Sequence, residues 1–137
     1  MWRDWVRKWF PTLAYEHVFI TYLPNKDRHG NDFDVEPWDT RILRLQARLF
    51  RGATSYPSRG SYRTLDAQGR GETGIMVEAT RMIVSFVNEG DLTEAALKEI
   101  TDVLKDFGHK TRQESVAFVV DGEMYYIDMI AGKKKST

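Results

Sequence analysis

Two stretches of this chain carry an apolar stripe on one side only, and that limits how everything else can be covered. In the first, opened by Pro37, the residues Trp38, Ile42, Leu45 and Leu49 recur at i, i+4, i+7 and i+11, the spacing of a single helical face. In the second, Asp91 and Glu94 read as a capping box, Ala96, Ile100, Val103 and Phe107 form the stripe, and Gly108 falls where a C-terminal glycine belongs. Each helix thus has one side to bury and one to solvate. Together they can roof one face of a sheet and must leave its other face open.

The sheet is legible in the runs between them. His17 to Leu23 is dense in β-branched and aromatic residues and stops at Pro24, which suits a central strand. Tyr56-Pro57, Arg59-Gly60 and Ser61 to Leu65 suggest an irregular edge strand. A glycine-rich polar connection, Asp66 to Gly74, leads to a long strand from Met76 to Val87. Glu114 to Val120 and Glu123 to Ile130 flank Asp121-Gly122, a two-residue hairpin turn. The order β α β β α β β predicts an α+β fold, a ferredoxin-like βαββαβ plait with an antiparallel sheet and an extra C-terminal strand. At 137 residues, 42% of them apolar, the chain has the length for one domain.

Ahead of the plait, Trp2, Trp5, Val6 and Trp9 lie at helical spacing with charges between them. They predict a short amphipathic N-terminal helix over residues 1–11, ended by Pro11. The tryptophans are expected to pack on the domain or on a partner subunit, so Trp2, Trp5 and Trp9 are the candidate oligomer interface; anchoring at a membrane surface is the alternative. No run is long enough to span a bilayer. Without cysteine or a signal-like apolar run, the expected location is cytoplasmic. Residues 131–137, with Lys133 to Lys135, read as a flexible basic tail.

Chemistry is sparse. His17, His29 and His109 have no ligand spacing among them, so no metal site is expected, and no cofactor motif is present. The loop bearing Asp27, Asn31, Asp32, Asp34 and Glu36 lacks the ligand order of a calcium loop. Arg48, Arg51, Arg59, Arg63 and Arg70 stand against one acid, Asp66. With Tyr56 and Tyr62 nearby, Arg51, Arg59, Tyr62, Arg63 and Arg70 make a candidate site for an anionic ligand or nucleic acid. Net charge is zero, so any such attraction must be local. In the long strand Glu78 and Arg81 point to opposite faces by alternation, and Glu114 is the expected partner of Arg81. For acid–base work the candidates are His17, Tyr22, Arg81 and Glu114.

Gly60-Ser-Tyr62-Arg63, the turn at Gly69, the strand bearing Glu78, Thr80 and Arg81, and Arg112-Gln113-Glu114-Ser115-Val116 together resemble a family of small bacterial proteins catalogued only as a domain of unknown function. The resemblance spans about residues 15–120. It implies the plait and supplies no chemistry. Its members are mostly exported, whereas this chain opens with a Trp-rich segment. The function expected from the sequence is a binding and assembly module, homo-oligomeric through the open sheet face or the N-terminal helix, with an anionic ligand as a further partner. The alternatives are a small dimeric enzyme with its pocket between sheet and helices, and a nucleic-acid-binding protein using Arg48 to Arg70.

Overall fold

The computed structural model describes residues 1–10, 15–65 and 72–130; the basic tail, Arg70 and Pro11 lie outside the described residues. The elements run α1 (Trp2–Trp9), β1 (His17–Pro24), α2 (Glu36–Phe50), β2 (Thr54–Leu65), β3 (Glu72–Val87), α3 (Glu94–Lys110), β4 (Ser115–Val120) and β5 (Glu123–Asp128). The five strands form one antiparallel sheet in the order β2-β3-β1-β4-β5. Among the described residues the fold is α+β, with three helices and a five-stranded antiparallel sheet whose order is not that of a simple four-stranded plait.

Alternation decides which residues meet the helices. Phe19, Thr21 and Leu23 of β1 and Ile83, Ser85 and Val87 of β3 are all buried. The apolar ones, Phe19, Leu23, Ile83 and Val87, join Ile42, Leu45 and Phe50 of α2 and Ile100, Leu104 and Phe107 of α3 in one core. Phe19 anchors it, with ring centroids 5.3 Å from Phe50 and 5.7 Å from Phe118. Within this apolar layer, Gln46 of α2 accepts from Thr21 Oγ1 at 2.6 Å and donates to Ser85 Oγ at 3.1 Å. The three buried polar groups satisfy one another, as burial requires.

Several boundaries move from their sequence-based positions for physical reasons. β2 begins at Thr54 and passes through Pro57 and Gly60, residues that interrupt a central strand but are tolerated at an edge that pairs on one side only. The N-cap of α3 is Thr93, whose side chain accepts from Ala96 N at 3.1 Å, while Asp91 ends a 3₁₀ turn, Glu89–Asp91. Gly108 lies inside α3 and is buried; a Cβ there would come within 2.9 Å of Met129. That glycine permits close packing instead of ending the helix. The β4–β5 turn matches expectation, with positive φ at Asp121 (51°) and Gly122 (83°).

Candidate functional site

The sheet face away from the helices is built from the alternate residues of the same strands. Tyr22 and Pro24 of β1, Gly60 and Tyr62 of β2, Glu78 and Thr80 of β3, Ser115 and Ala117 of β4 and Tyr126 of β5 line a cleft of about 300 Å³ on it. One wall is the turn after α3. There Gln113 donates through Nε2 to Lys26 O at 3.0 Å and Arg28 N donates to Arg112 O at 3.0 Å, tying the 25–32 loop to the start of β4. Asp27 holds that loop from within, accepting from His29 N at 2.8 Å and Asn31 N at 3.0 Å. The carboxylate is therefore committed to a turn. Asp32 pairs with Lys26 at 2.7 Å.

Glu78 lies in this cleft, 7% exposed, and its Oε2 is buried without a hydrogen-bond partner. Burial pushes its carboxyl up to about 7, against a smaller downward pull from Lys26. Beside it, burial first and then the acids Glu78, Glu114 and Asp27 push the Tyr62 phenol up to about 12, so Tyr62 stays neutral. Its hydroxyl donates to Met76 Sδ at 2.9 Å. Gly60 is directly opposite Glu78 in the β2–β3 register, and a Cβ there would meet Thr80 Cγ2 at 3.3 Å. The result is a small cleft of mixed lining, with aromatic rims at Tyr22, Tyr62 and Tyr126, the charged residues Arg28 and Glu114 and the polar Ser61, Thr80, Gln113 and Ser115 around it, and one buried, unsatisfied carboxyl group, that of Glu78, inside. Such a group costs stability unless a ligand satisfies it.

The four acid–base candidates do not meet. Tyr22 and Glu114 reach the cleft, but Arg81 is on the helix-covered face. It donates to Asp39 and pairs with Glu36 at 2.8 Å. The expected Arg81–Glu114 pair is thereby corrected: the partners are acids of α2, because α2 crosses the face to which Arg81 points. Glu78, as alternation requires, points the other way. His17 sits at the far end of β1 from Tyr22, with Nδ1 2.6 Å from Asp121 Oδ2 and Nε2 against Glu89 Oε2.

His17, Glu89 and Glu16 bring one ring nitrogen and two carboxylates within 4.8 Å of one another, a grouping that sequence spacing does not show. Glu89 first, then Asp121, pushes the His17 imidazole up to about 9. Both ring nitrogens face carboxylates, Asp121 at Nδ1 and Glu89 at Nε2, an arrangement that favours the protonated imidazolium. The group acts as a clip joining β1, the 3₁₀ turn and the β4–β5 turn. Its folded pKa exceeds the ordinary 6.5, so its stabilisation is full below pH 6.5 and fades as pH rises through about 9. Urea unfolding at pH 6, 8 and 10 should show the difference between the natural chain and His17→Ala shrinking with pH. A difference that is constant across this range would exclude the clip.

The described arginines of the segment do not converge on one site. Arg48 pairs with Glu99 at 2.5 Å and Arg51 with Asp91 at 2.8 Å, both acids of the α3 side. Arg59 and Arg63 alternate away from Gly60 and Tyr62, onto the opposite face of β2. Of the described members of this group, Tyr62 alone reaches the cleft. Trp2, Trp5 and Trp9 are 57%, 63% and 71% exposed, and α1 has no buried residue. The expectation that they pack on the chain's own domain is not met among the described residues.

An antiparallel sheet roofed on one side, with an acid-bearing cleft on its bare side, defines a compact α+β class. The sequence matches no protein-family model and no curated protein. Solved structures do share the fold. A phage SAM lyase in complex with S-methyl-5'-thioadenosine superposes with a TM-score of 0.59 at 16% identity, covering 85% of this chain and 92% of that one. The phage SAM lyase in its apo state gives 0.57 at 15% identity, over 87% and 92%. At these identities the likeness is one of fold.

Proposed function

We propose that the open-face cleft binds an adenosyl sulfonium, S-adenosylmethionine, and its thioether product, S-methyl-5'-thioadenosine, and that the chain cleaves the first to the second as a lyase. The observation that carries this reading is Glu78, a carboxyl group with a buried orphan oxygen inside a cleft rimmed by three tyrosines. A sulfonium is a compact cation with an apolar surround. It suits a carboxylate backed by aromatic faces, and a purine stacks on such rings. The fold shared with a SAM lyase supports the same ligand class. We read the architecture accordingly as a ferredoxin-like plait extended by β5.

In such a reaction the carbon–sulfur bond breaks without water and sulfur keeps the bonding pair as a neutral thioether. The pair that closes the carbon comes from the substrate's own carboxylate, whose oxygen forms the new carbon–oxygen bond and leaves the aminoacyl fragment as a ring lactone, the second product. Charge disappears as the bond breaks, and a poorly hydrated cleft favours that change over bulk water. Glu78 would hold the sulfonium and Tyr62, neutral throughout, would flank it.

Incubation with S-adenosylmethionine should release S-methyl-5'-thioadenosine, read by chromatography, and the product should raise the melting temperature. No turnover together with no binding of either compound would overturn the reading.

A second reading concerns assembly. Phe86, Met124 and Tyr126 on the same open face are 60%, 50% and 62% exposed, a load of apolar surface that favours self-association around the cleft. Mass measurement in solution decides it. A clean monomer at micromolar concentration would count against it.

A further inference from the structure

The segment least explained by the cleft is α1. Successive residues of a helix turn by about 100°, which places Trp5, Trp9, Trp2 and Val6 on one arc of about 100° and Arg3, Arg7, Asp4 and Lys8 on the other. The division is complete, yet no residue of the helix is buried. Its apolar arc faces no core among the described residues. Two cations stack directly on the indoles, with Arg3 Cζ 4.7 Å from the Trp2 ring and Lys8 Nζ 5.5 Å from the Trp9 ring. Positive charge therefore borders the apolar arc on both sides. The one acid, Asp4, is held by the N-terminal amine at 2.9 Å.

We infer that α1 is an anchor for the surface of an anionic lipid bilayer, lying in the interface plane with its indoles below the headgroups. Three features favour this occupant over a second copy of the helix. Apolar faces brought together from two copies would align Arg3 and Lys8 with their own kind, whereas phosphate and serine headgroups meet those cations with opposite charge. Eight residues make a helix about 12 Å long, too short to bury the ~1,200 Å² of a stable pairing and too short to cross a bilayer core of about 30 Å. Indole is also the side chain that prefers the polar–apolar boundary over either phase. The anchor is independent of what the cleft binds.

The test uses the full chain with vesicles of phosphatidylcholine alone and with about a third phosphatidylserine, read by co-sedimentation and tryptophan emission. Co-sedimentation is expected with the anionic vesicles only, with a blue shift in emission and a loss of at least tenfold on raising salt to about 0.5 M. Trp2→Ala, Trp5→Ala and Trp9→Ala combined should abolish binding. Arg3→Gln, Arg7→Gln and Lys8→Gln combined should remove the salt-sensitive part while circular dichroism of the domain stays unchanged. Absence of binding to anionic vesicles, equal binding to both vesicle types, or a tryptophan variant that binds as the natural chain does would each overturn the inference. So would a lipid-free oligomer that the tryptophan variant dissolves.

Discussion

Glu78→Gln should make the protein more stable at pH 8 and at the same time weaken its hold on a sulfonium ligand by about tenfold to a hundredfold, the worth of one charge-assisted contact. The two effects have one origin. The Glu78 carboxyl is pushed by burial up to about 7 from an ordinary 4.5, so between those values the folded chain holds a proton that the unfolded chain has released. Stability then falls as pH rises through this window, and glutamine removes the fall. The gain at pH 8 is about 1–2 kcal/mol, discounted for water at the cleft rim. The proton also links to the ligand. A cation beside Glu78 favours the carboxylate, so affinity for S-adenosylmethionine should rise from pH 6 to 8 while that for the uncharged thioether stays flatter. Calorimetry at both pH values, with denaturant melts, checks the set. If the variant is less stable at pH 8 and binds both compounds unchanged, Glu78 is not the ligand's partner.

Arg81→Ala should cost more than any surface change in this chain, about 3–5 kcal/mol, because it strands a buried acid. Asp39 is 4% exposed. Its Oδ2 accepts from Arg81 and, at 2.9 Å, from Ser55 Oγ, and its Oδ1 has no hydrogen-bond partner. With the guanidinium gone, a carboxylate is left between α2 and β2 with one hydroxyl to answer it. The double variant Arg81→Met with Asp39→Leu should recover most of the loss, since no charge then remains to be paired. Equilibrium unfolding of the single and double variants measures this. Equal destabilisation in both would mean that packing around Arg81, and not its charge, is what counts.

The sequence made the helices plain and the cleft obscure, and the reason is the range of the signals. The stripes of α2 and α3 are local periodicities, and the covered sheet face followed from them before any strand pairing was known. Alternation likewise separates Glu78 from Arg81 correctly, because it needs only two residues of one strand. It assigns a face but not a neighbour, which is why Glu114 stood in for Asp39 and Glu36. Gly108 was read as a helix end because its true constraint, the Met129 side chain, arrives from twenty-one residues downstream. The cleft draws on all five strands and the turn before β4, so no window of sequence contains it. The one usable signal was a lone acid in an apolar strand, on the face that no helix could cover.

Gly60 gives that cleft a property of its own. The carboxyl group that supplies charge belongs to β3, but the room above it is kept by a missing side chain on β2, at an edge of the sheet where strand geometry is most forgiving. In the proposed reading, recognition of charge and admission by size would thus be written on separate strands. On that reading, the range of molecules admitted could drift with a single edge residue while the group that gives the cleft its charge is left untouched.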